Sequence, residues 1–292
     1  PESLLEMAPE DHVVHVAPLM EDGRDKWVEQ ASLWPSDGEV PRLPGIIHKD
    51  LVLAVAASRI DVTVKDFVAS LRKQGNWPLL YADGASNLQH SFEFLRSKLP
   101  GSPALGKHLL FKRTDLWLGS HTLSTLHFDN YENLFSQLVG EKEFLLCPPG
   151  DTPLLADGRL RKAYATWDRS NGSFERKAEG LSDEAVMNYA VYDVENPPEE
   201  YAELSAKLRT TVVTVHAGET LYLPFGWWHQ VRGRPGPEGL CCSAASFYAP
   251  FFVRLQPKSM SFPGPLLPNP KYQELCSKLG LDSDDETPMQ NS

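Results

Sequence analysis

The chain has 292 residues, 41% of them hydrophobic, with 28 basic and 39 acidic side chains and a formal net charge of −11. A chain of that size buries its core without staples, as one large domain with additions. The acidic balance disfavours unassisted binding to nucleic-acid phosphates and favours a basic partner, and no apolar run is long enough to cross a bilayer. Nothing at the start resembles a signal sequence, and a first residue of Pro1 rather than Met reads as a trimmed chain or fragment. Cys147, Cys241, Cys242 and Cys276 show no paired metal spacing, so they read as reduced structural thiols of a cytosolic or nuclear protein.

In chain order, His12 to Ala17 is a short strand, and Trp27 and Trp34 near Pro35 belong to a packed irregular arm. Pro41-Arg42-Leu43-Pro44-Gly45 forbids a continuous helix there. Leu51 to Val55 is strand-like. Thr63 caps a helix to Lys73, with Phe67, Val68 and Leu71 on its buried side. A short strand from Trp77 ends at Tyr81. Ser86 to Leu99 has the spacing of an amphipathic helix, with Leu88, Phe92 and Leu95 on one side. Strand patterns follow at Leu109–Phe111, Leu116–Leu118 and Leu123–His127.

His127 and Asp129 are two apart in an extended segment, so their side chains share a face. A His-x-Asp pair alone is common. It gains meaning from His229, which follows a strand-like run far downstream, because two histidines and one carboxylate on adjacent strands form the facial triad of non-haem iron(II). A zinc hydrolase also uses such donors, but the His-Glu-x-x-His motif is absent. Tyr131 to Val139 reads as a half-buried strand, Gly140-Glu141 as a hairpin turn, and Lys142 opens the return strand. Lys142 is either an exposed turn lysine or a pocket cation that demands an anion, such as a carboxylate cosubstrate. Residues from about 150 to 208 form a long polar segment. Its Tyr164, Trp167, Tyr189 and Tyr192 either touch a substrate or pack the insert. Strands at Thr211–Val215, Thr220–Leu223, Trp228–Val231 and Leu240–Tyr248 complete a sandwich or barrel, and a short helix follows at Tyr272–Leu279.

His127-x-Asp129, Asn133, Lys142 after Gly140-Glu141, and Gly218 to Pro224 before Trp227-Trp228-His229 resemble the JmjC-domain 2-oxoglutarate oxygenases. The similarity runs from about Tyr81 to Tyr248 and is greatest to the small JmjC hydroxylases, which include a cytosolic lysyl-hydroxylase branch and factor-inhibiting-HIF-like enzymes. It implies a mainly β fold with flanking helices, a double-stranded β-helix or cupin-like jelly roll. The implied organisation is an N-terminal α/β portion over residues 1–105, a JmjC core over 106–255 with an insertion at about 150–208 bordering the substrate groove, and a tail over 256–292 whose helix serves a homodimer.

The resemblance further implies Fe(II) on His127, Asp129 and His229, with 2-oxoglutarate and O2 as cosubstrates. Lys142, Tyr81, Ser124 and Asn133 would surround the cosubstrate. Ser246 stands where hydroxylases of this type carry an asparagine, so its place in that pocket departs from the pattern. Asp129, where demethylases more often carry glutamate, points to hydroxylation of a protein side chain, lysine among the choices. Histone lysine demethylation and a catalytically silent jelly-roll binding module are the alternatives.

Overall fold

The computed structural model describes residues 2–35, 52–74, 77–101, 103–156, 160–254 and 266–278. The Pro41–Gly45 segment and the acidic tail after Asp282 lie outside these residues. The N-terminal part carries β1 (Val13–Pro18), β2 (Lys26–Gln30), β3 (Val52–Ala57), β4 (Ile60–Thr63) and β5 (Leu80–Tyr81). Next come β6 (Phe111–Gly119), β7 (Thr122–Phe128), β8 (Glu132–Val139) and β9 (Glu141–Cys147). The insertion supplies β10 (Leu160–Asp168), β11 (Ser173–Glu175) and β12 (Leu181–Ala185). Finally come β13 (Thr211–His216), β14 (Thr220–Leu223), β15 (Trp228–Arg234), β16 (Cys241–Tyr248), β17 (Phe252–Arg254) and β18 (Leu266–Pro268).

Two four-stranded sheets, ordered β13-β9-β15-β7 and β14-β8-β16-β6, face one another as the expected jelly roll. Period-two alternation turns one face of each strand inward. Phe135, Phe144, Leu146, Val215, Val231, Ala245 and Phe247 fill the space between the sheets. The expected β8–β9 hairpin is not a paired one. These strands lie in different sheets, so Gly140, at φ 73°, turns a corner between layers rather than closing a ladder.

Both outer faces are covered. Against β6 pack Val14, Val16, Phe67 and Phe92, meeting Leu116 and Leu118. The helix that supplies Phe67 spans Val64–Leu71, with the Thr63 hydroxyl accepting from the Asp66 amide as its cap. Against β7 and β15 pack Leu155, Tyr192 and Tyr201, meeting Leu126, Phe128 and Trp228.

Four local expectations change. The Ser86–Leu99 segment buries Leu88, Phe92 and Leu95 as its pattern requires, but as 3-10 turns over Asn87–Gln89 and Glu93–Lys98. Its start is tied to the free edge of β6: the Asn87 side chain donates to the Leu116 carbonyl at 2.6 Å and accepts from the Leu116 amide at 2.9 Å. Such side-chain bonds to another element compete with regular helix formation. Trp27 sits within β2 rather than in an irregular arm, and the Leu116–Leu118 run belongs to a nine-residue strand that starts at Phe111, the last residue of the earlier run. The polar insertion carries β10, which lies in the sheet β11-β10-β3-β2 and pairs in parallel with β3 from Leu160↔Val52 to Ala165↔Ala57.

A buried acid ties the loops around the jelly-roll mouth. Glu132, 2% exposed, accepts from the Tyr222 hydroxyl at 2.8 Å and from the backbone amides of Phe225 and Phe251, each at 3.1 Å. Glu132→Ala should orphan these donors and lower stability by about 2–4 kcal/mol, since each unmet buried donor costs ~1–3 kcal/mol. Urea unfolding checks this, and an unchanged midpoint would show that the loops hold without it.

Candidate active site

β15 lies between β7 and β9, and the pairing sets His229 opposite His127. The ring centroids are 4.3 Å apart, and His229 Nε2 lies 3.8 Å from Asp129 Oδ2. One donor atom from each of His127, Asp129 and His229 falls within 4.8 Å of the other two, close enough to share one ion. The Asp129 carbonyl accepts from the Gly226 amide at 3.1 Å, so the loop before Trp227-Trp228-His229 is fastened to the first half of the cluster.

Each imidazole is oriented through its other nitrogen. His127 Nδ1 lies 2.7 Å from the Thr125 carbonyl and His229 Nδ1 lies 3.0 Å from the Trp227 carbonyl. A carbonyl only accepts, so Nδ1 carries the proton in both rings and Nε2 keeps a lone pair for a metal. Burial and then the neighbouring His127 push the His229 pKa down to about 4, which keeps its ring neutral near pH 7. Tyr189, from the insertion, stacks on His127 at 5.2 Å and 13°, and its backbone bridges to the same residue.

Next to the cluster a narrow cavity is lined by Tyr81, Trp117, Ser124, Asn133 and Lys142. Lys142 is 2% exposed, which removes the reading of it as a surface turn residue. Among the described residues its ammonium has one hydrogen-bond partner, the Tyr81 hydroxyl at 3.1 Å. Burial pulls its pKa below the ordinary value, as expected for a cation that lacks an adjacent anion. The rings of Tyr81, Trp117 and Phe135 lie 5.1–5.7 Å from that ammonium. Gly119 makes room for Tyr81, because a Cβ there would sit 2.9 Å from the Tyr81 ring. Ser124 lines the same cavity as this phenol.

Ser124 and His127 are three apart and would face opposite ways on a regular strand. Their partners on β15 are only two apart, Val231 and His229, so β7 carries one extra residue between them. This bulge turns both side chains into the cavity. Asn133 lies on the inward face as its spacing from Asp129 requires, and its Oδ1 is buried without a partner among the described residues. Ser246 is not brought to the cavity. Its alternating neighbours Ala245 and Phe247 face inward, and Ser246 points to the other side, 3.0 Å from the Thr114 hydroxyl. The departure from asparagine at that position therefore removes nothing from this cavity.

The sequence reading missed Trp117, whose Nε1 is another buried group without a partner among the described residues and which lines the same cavity. Among the four insertion aromatics, Tyr189 reaches the metal cluster. Trp167 packs on Phe174, Tyr192 stacks on Tyr201, and Tyr164 is 39% exposed.

The unmet groups fit a bound diacid, with a lysine ammonium, a phenol and an indole N–H on one side and two imidazoles with a carboxylate on the other. As the side chains stand, this cavity measures about 30 Å³, so holding a diacid would require its walls to move apart.

Comparison with known proteins agrees with this architecture. The model of the cupin-like domain family matches residues 7–254. A lysine-specific demethylase of Arabidopsis thaliana, JMJ32, is 32% identical over 46% of this chain and 41% of its own length. The human bifunctional peptidase and (3S)-lysyl hydroxylase JMJD7 is 32% identical over 56% of this chain and 49% of its own length. Jumonji C domain-containing protein 5 of Drosophila melanogaster is 31% identical over 40% of this chain and 23% of its own length. The matched stretch thus spans less than half of each of these relatives. The jelly roll, the family match and these relatives agree that the chain belongs to the cupin-like domain family, as a member of its JmjC type.

Proposed function

We propose that the protein is an Fe(II)- and 2-oxoglutarate-dependent oxygenase that hydroxylates a protein side chain, with lysine the favoured target. The observation that carries this reading is Lys142, a buried cation without an adjacent anion, in the same cavity as the His127, Asp129 and His229 donors. When bound, Fe(II) and 2-oxoglutarate supply the oxidation, in which O2 and the keto acid are converted to succinate and carbon dioxide while a substrate C–H becomes C–OH.

The chain's own residues place and shield that chemistry. His127 and His229 offer Nε2 while Thr125 and Trp227 hold their Nδ1 protons. Asp129 contributes the anionic donor. Lys142 and Tyr81 receive the far carboxylate of the diacid, with Trp117 and Ser124 beside them, and Phe135, Phe144 and Phe247 exclude water. The names of two relatives specify lysine, one as a hydroxylase and one as a demethylase. Aspartate at position 129 favours hydroxylation. Demethylation is the second reading, and formaldehyde release from a methyl-lysine peptide would mark it.

The acidic balance suits a basic protein segment as substrate. Cys147, Cys241 and Cys242 are buried free thiols, which suits the cytosol or nucleus. Among the described residues no helix is long and apolar enough to cross a membrane.

Wild-type protein given Fe(II), ascorbate and 2-oxoglutarate should release succinate. Its absence would leave a silent binding module. Lys142→Ala removes a charge-assisted bond worth about 1.5–3 kcal/mol and should raise the 2-oxoglutarate requirement about tenfold or more. An unchanged dependence would take Lys142 out of the site. Mn(II) at about a hundred times its Kd should stabilise the wild type by ~2.7 kcal/mol, read as a rise in melting temperature. Asp129→Ala should lose that rise while its metal-free melting stays close to wild type, and a retained rise would remove Asp129 from the donor set.

A further inference from the structure

A second, larger cavity of about 620 Å³ lies between the N-terminal strands and the segment that carries β10, β12 and Tyr189. Asp25, Lys26, Arg59, Asp83, Asn188 and Tyr189 line it, over a floor of small β3 residues, Ala54, Ala56 and Ala57. Tyr189 joins it to the metal cluster, since the ring that walls this cavity is the one stacked on His127. Asn188 fixes the junction by exchanging two hydrogen bonds with the Phe128 backbone, each 3.0 Å. Asp25 is anchored to the strand that carries the first histidine, its amide donating to the Leu123 carbonyl at 3.2 Å.

Net charge does not select a ligand here, because each acid already faces a cation. Asp83 meets Arg59 at 2.6 Å, Asp25 meets Lys26 at 3.0 Å, and Glu184 meets Lys162 at 3.2 Å. Arg59 and Asp83 answer each other as an ion pair, whereas Asp25 keeps one oxygen that faces no cation among the described residues. Asp25 is 4% exposed, and among the described residues its Oδ1 is buried without a hydrogen-bond partner while Oδ2 takes the Lys26 ammonium. A buried carboxylate oxygen is a strong acceptor whose unmet state is costly. The missing partner is a donor, and in a cavity open to entering side chains a cationic donor gains most from a carboxylate. Lys26 leans toward the Tyr189 ring at 5.7 Å, and the alanine floor leaves the width that an aliphatic stem requires.

We infer that Asp25 is the acceptor for the cationic end of the substrate side chain, an ammonium or guanidinium on an aliphatic stem that enters between the alanine floor and Tyr189. This deepens, and rests on, the oxygenase reading above, because it assigns the larger cavity to substrate. Asp25 would then set specificity and take no part in oxygen chemistry.

The test measures binding, not turnover. Fluorescently labelled, end-blocked pentapeptides Gly-Ala-X-Ala-Gly, with X as lysine, norleucine or glutamate, are titrated with full-length protein in Mn(II) and 2-oxoglutarate. The lysine peptide should bind about tenfold or more tightly than the norleucine peptide, as a charge-assisted bond to a desolvated carboxylate requires. Asp25→Asn should shrink that ratio to about threefold or less. Ala56→Leu, which narrows the cavity floor, should weaken the lysine peptide about tenfold with Asp25 intact.

Equal affinity for lysine and norleucine, a preference for glutamate, no binding of any peptide, or a ratio that survives Asp25→Asn would each overturn the inference. The wild-type comparison decides even where a variant does not fold. Succinate release by the wild type is scored separately. Its absence removes the oxygenase reading, whereas the lysine-to-norleucine ratio alone decides the role of Asp25.

Discussion

The pairing of β15 with β7 is the constraint on which the site depends. It places His229 opposite His127, 102 residues apart in the chain, and its single bulge turns Ser124 to the same side. Backbone hydrogen bonds in the ladder and the two Nδ1–carbonyl contacts thus fix the donor geometry before any metal arrives. The Asp129 carbonyl, held by the Gly226 amide, adds the third donor to the same frame. A site built this way depends on the sheet for its precision.

The closed end of the cavity is organised by desolvation. An ammonium with 2% exposure is among the less favourable groups to bury, and among the described residues its one hydrogen-bond partner is the Tyr81 phenol, with aromatic faces around it. The jelly roll supplies enough apolar packing between its sheets to carry that cost. The result is a cation held ready for an anionic guest, in a place where water competes poorly.

Much of this was legible in the residues. Period-two spacing gave His127, Asp129 and Asn133 a common face, and the turn and strand signals located every jelly-roll strand from β6 to β16 outside the insertion. The layer to which each strand belongs was not legible, because local pattern does not distinguish a paired hairpin from a corner between sheets. Gly140 is the example. Ser246 was misplaced for a related reason, since its neighbours Ala245 and Phe247 claim the inward face. Strand β10 escaped notice because its fully buried positions include Ala163 and Ala165, too small to form an apolar run. Trp117 and Tyr189 carry no motif, and only the folded chain brings them to the cavity.

The parallel pairing of β3 with β10 has a consequence for how this family member can vary. Strands of that kind need a long crossover, and here the intervening chain includes β6 to β9 of the jelly roll. The segment after Pro149 therefore cannot be exchanged like a surface loop. Trimming it would strip β3 of a neighbour and withdraw the tyrosine that stacks on His127.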